Sequence, residues 1–514
     1  MKSTNNKQEV KGFLKGVEVI GNRLPHPAMI FVILSVVVII ASHFVAKYGT
    51  PITYFDAKAG EEVTKSAVSL LNAEGVRYIF NSATKNFTGF APLGTVLVAM
   101  LGVGVCEWTG LFNTGLKKAL LNANPKILTP IVVFAGIMSN VASDAGYVVV
   151  VPIGALIFGL AGRHPLAGLA AAFAGISGGF SANLILGTTD PLLTNITNEA
   201  LKAAQIDTSI PVTSNMYFLA ASAIFLTIVG TVVTDKIVEP NLGKYTGSIS
   251  EAEAADDVTD LEVKGIRNAL IALAGYVVIM VILMFPKGAL FQELNEKTGL
   301  VDLNAFLHDG LIPAMMLLFL IPGLVYGRTV GKIKNSNDLV AAMTSAMKSM
   351  GGYLVLAFFA AQFIAYFGKT NLGVIISYNG AEFLKSAGLS GLPLIILFIL
   401  LSAFINLFMG SASAKWAIMA PIFVPMLLEM GFSPALTQVA YRIGDSSTNI
   451  ISPLMSYFAM IVVFMQKYDK ESGLGTLISM MLPYSIAFLV FWTLLMAVFF
   501  MFNLPIGIGG TIYM

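Results

Sequence analysis

Ser139-Asn140-Val141-Ala142-Ser143-Asp144 interrupts an apolar run that extends from Ile127 to Leu160. A second polar run, Gly410-Ser411-Ala412-Ser413-Ala414-Lys415-Trp416, interrupts another, from Leu392 to Leu428. Each is followed by a further break in apolar sequence, at residues 177–183 after the first and at residues 444–449 after the second. The arms of the first unit, Ile127 to Met138 and Tyr147 to Leu160, reach only ~18–21 Å as helices. A bilayer core is ~30 Å thick. Two short arms meeting at a polar tip inside the membrane, a re-entrant hairpin, fit these lengths; a kinked full span is the alternative. Breaks rich in small and polar residues within apolar runs read as discontinuous helices, the usual builders of transporter binding sites. Together the four stretches form one site made from two halves of a membrane transporter.

The composition agrees. The chain has 514 residues, 56% hydrophobic and 12% charged, with a mean hydropathy of +0.79, more apolar than a soluble domain requires. The fold class expected is an all-α polytopic membrane protein, because runs such as Met29 to Ala41 lack the alternation of a barrel strand. A net charge of +2 gives no reason to expect nucleic acid, and the single cysteine, Cys106, excludes an internal disulfide or thiolate cluster. No His-Glu-x-x-His zinc motif occurs, and Arg442-Ile-Gly-Asp445 lacks the first glycine of the intramembrane aspartyl protease signature. No enzyme and no cofactor are expected.

In chain order, residues 1–26 form a polar segment, an amphipathic surface helix or a disordered tail, without a signal-peptide cleavage site. Residues 27–126 carry spans at 27–46 and 88–107 separated by a polar loop, 47–86. Residues 127–207 hold the first hairpin and broken helix. Residues 208–390 add spans at 216–234, 268–285, 310–326 and 351–367, a hydrophilic insert at 235–265 and a surface helix from Asp338 to Met350. Residues 391–466 repeat the hairpin and broken helix, and 467–514 end in a span at 475–502. Ser181-Ala-Asn183-Leu-Ile185 and Ser447-Thr-Asn449-Ile-Ile451 share the pattern Ser-x-Asn-apolar-Ile, so the order recurs once in each half. With the N-terminus inside, 19 of the 31 Lys and Arg fall inside, 10 outside and two within the membrane. That excess follows the positive-inside rule and makes the repeat inverted, with the two hairpins entering from opposite faces.

A charge at mid-membrane costs ~2.5–3.5 kcal/mol on insertion scales and marks function or a helix-locking pair. Five qualify: Asp144, Asp190, Lys415, Arg442 and Asp445. Arg442 and Asp445, three apart, could simply pair along one helix face. Ser139, Asn140 and Ser143 facing Asn183, and Ser411 and Ser413 facing Asn449, offer oxygen shells suited to sodium, or else serve freed backbone groups. Trp416, in mid-hairpin rather than at a helix end, is placed to stack on an aromatic ligand.

These motifs, with Ser177 to Pro191 and Tyr441 to Asn449, resemble the AbgT family of bacterial transporters over nearly the whole chain. The resemblance implies nine spans, two opposed re-entrant hairpins and a homodimer in the inner membrane, with the N-terminus cytoplasmic. It implies movement of p-aminobenzoyl-glutamate, or export of sulfonamide antimetabolites, coupled to sodium or protons. Carried over by motif, the substrate-binding positions are Asp190, Asn406, Trp416, Arg442, Asp445 and Pro434. The fold is also similar to that of divalent anion:sodium symporters, so a sodium-coupled dicarboxylate symporter is the alternative function. Their Ser-Asn-Thr tips are matched here only by Ser139-Asn140-Val141.

Overall fold

The computed structural model describes residues 25, 27–56, 61–121, 127–142, 145–247, 258–294, 301–303, 305–452, 455 and 457–514. The N-terminal segment, Ser143 and Asp144 lie outside these residues. Helix α1 is Pro27–Tyr48, followed by a two-stranded antiparallel ribbon, β1 Ile52–Asp56 and β2 Glu61–Lys65, and by α2 Ala73–Thr88. The stretch read as a polar loop is therefore ordered. Its few apolar residues recur at helical spacing, and Asn72 caps α2 by accepting from the Gly75 N–H. Next come α3 Ala91–Thr109, α4 Leu111–Leu121, and the first hairpin, α5 Leu128–Ser139 and α6 Ala145–Leu160. The first interrupted helix follows: α7 Pro165–Phe173, a π turn Ala174–Gly178, non-helical chain, then α8 Thr189–Ala203. The interruption thus extends five residues past Asn183, and Asp190 sits in the first turn of α8 rather than inside it.

Helix α9, Met216–Val233, continues through a π turn to Leu242; α10 is Asp260–Met284, and β3 Glu293–Leu294 pairs with β4 Val301–Asp302. Then follow α11 Leu311–Thr329, α12 Ser336–Ser349, α13 Gly351–Lys369 and α14 Leu372–Ser386, the last in a stretch the sequence left unassigned. The second hairpin is α15 Gly391–Asn406 and α16 Ala412–Glu429. Its partner is α17 Pro434–Asn449, then α18 Phe458–Gln466, and α19 Leu474–Met501 closes the fold. Here a correction is needed. Gly444 to Asn449, read as the break, is helical, and the interruption begins after it, because Ser447 and Thr448 return their hydroxyls to Ile443 and Gly444 carbonyls.

Eight helices among the described residues are long and apolar enough to span a bilayer; one of them, Ala412–Glu429, is the second arm of the second hairpin. The other seven and the two interrupted helices give the nine crossings expected. Helix α10 leaves Leu270, Ile271, Val277, Val278, Ile279 and Ile282 exposed, a surface fitted to lipid rather than water.

The two hairpins enter from opposite ends of α9. At its C-terminal end, Arg163 at the base of the first hairpin pairs with Asp235 (2.6 Å) and Glu239, and Thr129 donates to Asp235 (2.7 Å). At its N-terminal end, Ser433 at the base of the second hairpin bonds the Ile512 carbonyl through its N–H. The same C-terminal segment meets Thr213 and Phe218. Close helix approach comes from small residues: a methyl group at Gly168 would lie 2.2 Å from the Gly154 carbonyl oxygen, so α6 and α7 touch backbone to backbone.

Candidate functional site

Helix α17 is buried along Pro434 to Thr448, although it carries Thr437, Gln438, Arg442, Asp445, Ser446, Ser447 and Thr448. Such a helix needs partners on all sides, and both halves of the chain supply them. The second hairpin packs on it through α15 and α16, and the π turn of the first interrupted helix packs on its far end, where the Asn449 amide donates to the Ser177 carbonyl (3.4 Å). The tip of the first hairpin joins in through Asn140, whose amide donates to the carbonyls of Ile137 and Ile176 (3.0 Å each). The four interruptions therefore form one continuous polar region.

Two ion pairs lie in it. Arg442 Nη2 is 2.7 Å from Asp190 Oδ1, with both side chains 1% exposed. Lys415 Nζ is 2.5 Å from Asp445 Oδ1, with side chains 0% and 2% exposed. Arg442 and Asp445 do not pair with each other along the helix. Each reaches a different element, Asp190 on α8 and Lys415 on α16: the first pair ties the two halves together, and the second holds the second hairpin to α17.

Arg442 is underused. Its Nη2–Asp190 contact is close but poorly aligned for a hydrogen bond, and both Nε and Nη2 lack hydrogen-bond partners. Asp190 Oδ2 accepts the Gly187 N–H (2.6 Å), while its Oδ1 has no hydrogen bond. Nearby, both polar atoms of the Asn183 side chain are buried without partners, as are the Ser181 and Ser446 hydroxyls. Gly187 links Asp190 and Asn183: its N–H bonds the aspartate, and a methyl group there would lie 3.7 Å from Asn183 Nδ2 and from the Asn140 carbonyl oxygen. Unsatisfied buried donors and acceptors are costly, so this cluster is chemically prepared for a small polar or anionic group.

Trp416 is fully buried. Its ring stacks on Tyr441 with centroids 4.4 Å apart, and its N–H donates to Thr197 Oγ1 (3.0 Å). In this conformation it presents no free face to an open cavity, contrary to a simple stacking role. Thr197 passes the contact to Gln438 (2.7 Å), which bonds Asn215 (2.9 Å). Tyr441, Gln438, Thr197 and Asn215 were missed in the sequence. A signal existed: Gln438, Tyr441, Arg442 and Asp445 recur at helical spacing on one helix. Asn406 orients the second pair, donating to the Asp445 carbonyl (2.6 Å), Thr448 Oγ1 (2.9 Å) and Asn449 Oδ1 (2.9 Å). Pro434 opens α17 behind the Ser433 cap, ~12 Å along the axis from Arg442, and so positions the helix without reaching the ion pairs.

The expected sodium shells are placed unevenly. The Ser139 hydroxyl returns to the Gly136 carbonyl (2.6 Å), and Asn140 is bonded as above; of this set Asn183 has free ligand atoms. Ser411 caps α16 by accepting from the Ala414 N–H, and Ser413 lines a narrow apolar crevice with Phe31, Phe90, Leu192 and Tyr353 instead of facing Asn449. Phe90 also borders a much larger cavity of about 650 Å³ between α2, α13 and the end of α8, lined by Lys85, Lys202 and Lys369 with Glu199, Tyr78 and Asn81.

The family described as the AbgT putative transporter family matches residues 12–514. The chain is 37% identical over 494 residues to a p-aminobenzoyl-glutamate transport protein of Escherichia coli K12, covering 96% of this chain and 95% of that one. It superposes on the structure of Neisseria gonorrhoeae MtrF, presented among a class of antimetabolite efflux pumps, with a TM-score of 0.90 at 46% identity, covering 97% of this chain and 100% of that one. It also superposes on the crystal structure of the Alcanivorax borkumensis YdaH transporter, described as having an unusual topology. There the TM-score is 0.86 at 40% identity, covering 94% of this chain and 100% of that one. The chain is therefore a multi-pass membrane transporter, not an enzyme, and belongs to the AbgT family.

Proposed function

We propose that the protein carries p-aminobenzoyl-glutamate, or a related aromatic anion such as a sulfonamide antimetabolite, across the bacterial inner membrane by cation-coupled alternating access. The observation that carries this reading is Arg442: a buried guanidinium paired with one aspartate, with two nitrogens left unbonded, beside the Trp416–Tyr441 aromatic pair. A guanidinium of this kind suits a carboxylate. Exchanging Asp190 for a substrate carboxylate would remove the ionic link between α8 and α17 and leave the Thr197–Gln438 hydrogen bond. The two hairpins and interrupted helices then move as a core against a dimeric scaffold of the remaining spans, with the N-terminus cytoplasmic. Each hairpin re-enters from its own face. The names of the relatives favour an aromatic amide or antimetabolite over an aliphatic dicarboxylate, and the unpartnered Asn183 Oδ1 is a ligand atom for a coupling cation.

Purified protein in liposomes tests this. Radiolabelled p-aminobenzoyl-glutamate is expected to cross under an imposed sodium or pH gradient and to be competed by sulfonamide but not by succinate. Absence of flux under both gradients, or competition by succinate alone, would refute it.

A further inference from the structure

We infer that the ammonium of Lys415 is a tethered replacement for a metal cation in the second half of the site, so that no metal ion enters this half while the lysine is there. The inference rests on the transport function proposed above and names what occupies this half of its site.

The geometry is that of a cation cage. Lys415 Nζ has three donors and meets three oxygens: Asp445 Oδ1 at 2.5 Å, Asn406 Oδ1 at shorter range, and the Met409 carbonyl at 3.4 Å. The Tyr441 ring lies 5.8 Å away. A carboxylate, an amide oxygen and a carbonyl freed by a helix break are ligands of a hard cation. Asn406 is held so that its oxygen faces inward, because its nitrogen is committed to Asp445, Thr448 and Asn449. Ser411 and Ser413, the expected alternative ligands, point elsewhere. In the first half, by contrast, Asn183 Oδ1 is a free ligand atom, and among the described residues no lysine is bonded to it.

The groups facing Nζ are Asp445 and Tyr441 on α17 and the neutral Asn406 and Met409 carbonyl from α15 and the hairpin tip. One turn back on α17 lies Arg442, already paired with Asp190 of α8. The ammonium–carboxylate pair has no net charge. Because Lys415 is on α16, Asp445 on α17 and Asn406 on α15, the ammonium ties the hairpin tip to the helix behind it.

Two substitutions separate this from a purely structural pair. Lys415→Ala empties the cage, and sodium is expected to enter it: sodium chloride, against choline chloride, should raise the melting temperature of the detergent-solubilised variant by about 2 °C or more beyond any rise in the wild type. Lys415→Arg keeps a tethered cation and should respond to sodium no more than the wild type does. Equal sodium responses in wild type and Lys415→Ala would overturn the inference, as would a response in Lys415→Arg as large as that in Lys415→Ala. If Lys415→Ala does not fold, Lys415→Gln carries the same sodium test. The sodium measurement needs no transported substrate, so a failure of the functional proposal is read separately, as absent flux in the wild type.

Discussion

Arg442 and Asp190 show why a buried charge pair is poor evidence of stability and good evidence of use. Bringing both ions out of water costs several kcal/mol each, and removing one partner from a buried pair costs ~3–5 kcal/mol because the other charge is stranded. Arg442→Ala should therefore unfold at lower temperature than the wild type, and Arg442→Ala/Asp190→Ala should recover much of that loss. Neither should carry substrate, so thermal melts and liposome flux would diverge in the double variant. Arg442→Lys keeps a charge but lacks the planar fork. Flux at low substrate should fall about 30-fold or more, the counterpart of ~2 kcal/mol at a desolvated charge pair. Recovery of flux in the double variant would return the pair to a structural role. The membrane charges themselves were legible in the sequence, because a charge among apolar neighbours stands out. Their partners were not: sequence spacing offered Asp445 to Arg442, whereas the pair that forms joins residues from opposite halves of the chain.

At the scale of the elements, the first hairpin was legible because each arm is too short to cross a bilayer alone and a polar run separates the two. The second interrupted helix was misread by one segment. Gly444-Asp445-Ser446-Ser447-Thr448-Asn449 has the composition of a break, yet it is helical because neighbouring elements and its own carbonyls satisfy its polar side chains. Helix α2 and the β1–β2 ribbon were lost to their polarity: both lie outside the apolar spans, where hydropathy says little. Gly444 has a different purpose from a hinge. A methyl group there would lie 2.4 Å from the Ile399 carbonyl oxygen and 2.7 Å from the Ala403 nitrogen, so α15 and α17 meet at bare backbone. Gly444→Ala should therefore separate the second hairpin from α17 and lower the melting temperature, although alanine is the better helix former. Gly94→Ala is the control, because nothing lies within 4 Å of the added methyl in α3; there the usual gain of ~0.5–1 kcal/mol is expected. Equal melting behaviour of the two variants would show that the contact at Gly444 is slack.

Over the whole molecule, charge gathers in separate places: Arg163 meets Asp235 and Glu239 at the C-terminal end of α9, while Lys85, Lys202 and Lys369 line one cavity. Lys202 lies 3.9 Å from Glu199 and Lys369 3.9 Å from Glu74, so Lys85 leaves that cavity a positive excess of one charge. Phe90 borders both this cavity and the crevice at Ser413, two residues from Lys415. A substrate with two carboxylates would be concentrated there before it meets Arg442, and the effect belongs to long-range charge, not to a fitted contact. Salt then distinguishes the cavity from the buried pairs. Screening lengths fall from ~10 Å at 0.1 M to ~3 Å at 1 M, which weakens the exposed lysines and leaves Arg442 untouched. In liposomes with substrate on the cavity side, KM should rise severalfold with salt while kcat holds. The Lys85→Gln/Lys202→Gln/Lys369→Gln variant should start from the high KM and respond little to salt. A variant that kept the wild-type salt response would place the steering charge elsewhere and leave the cavity a passive opening.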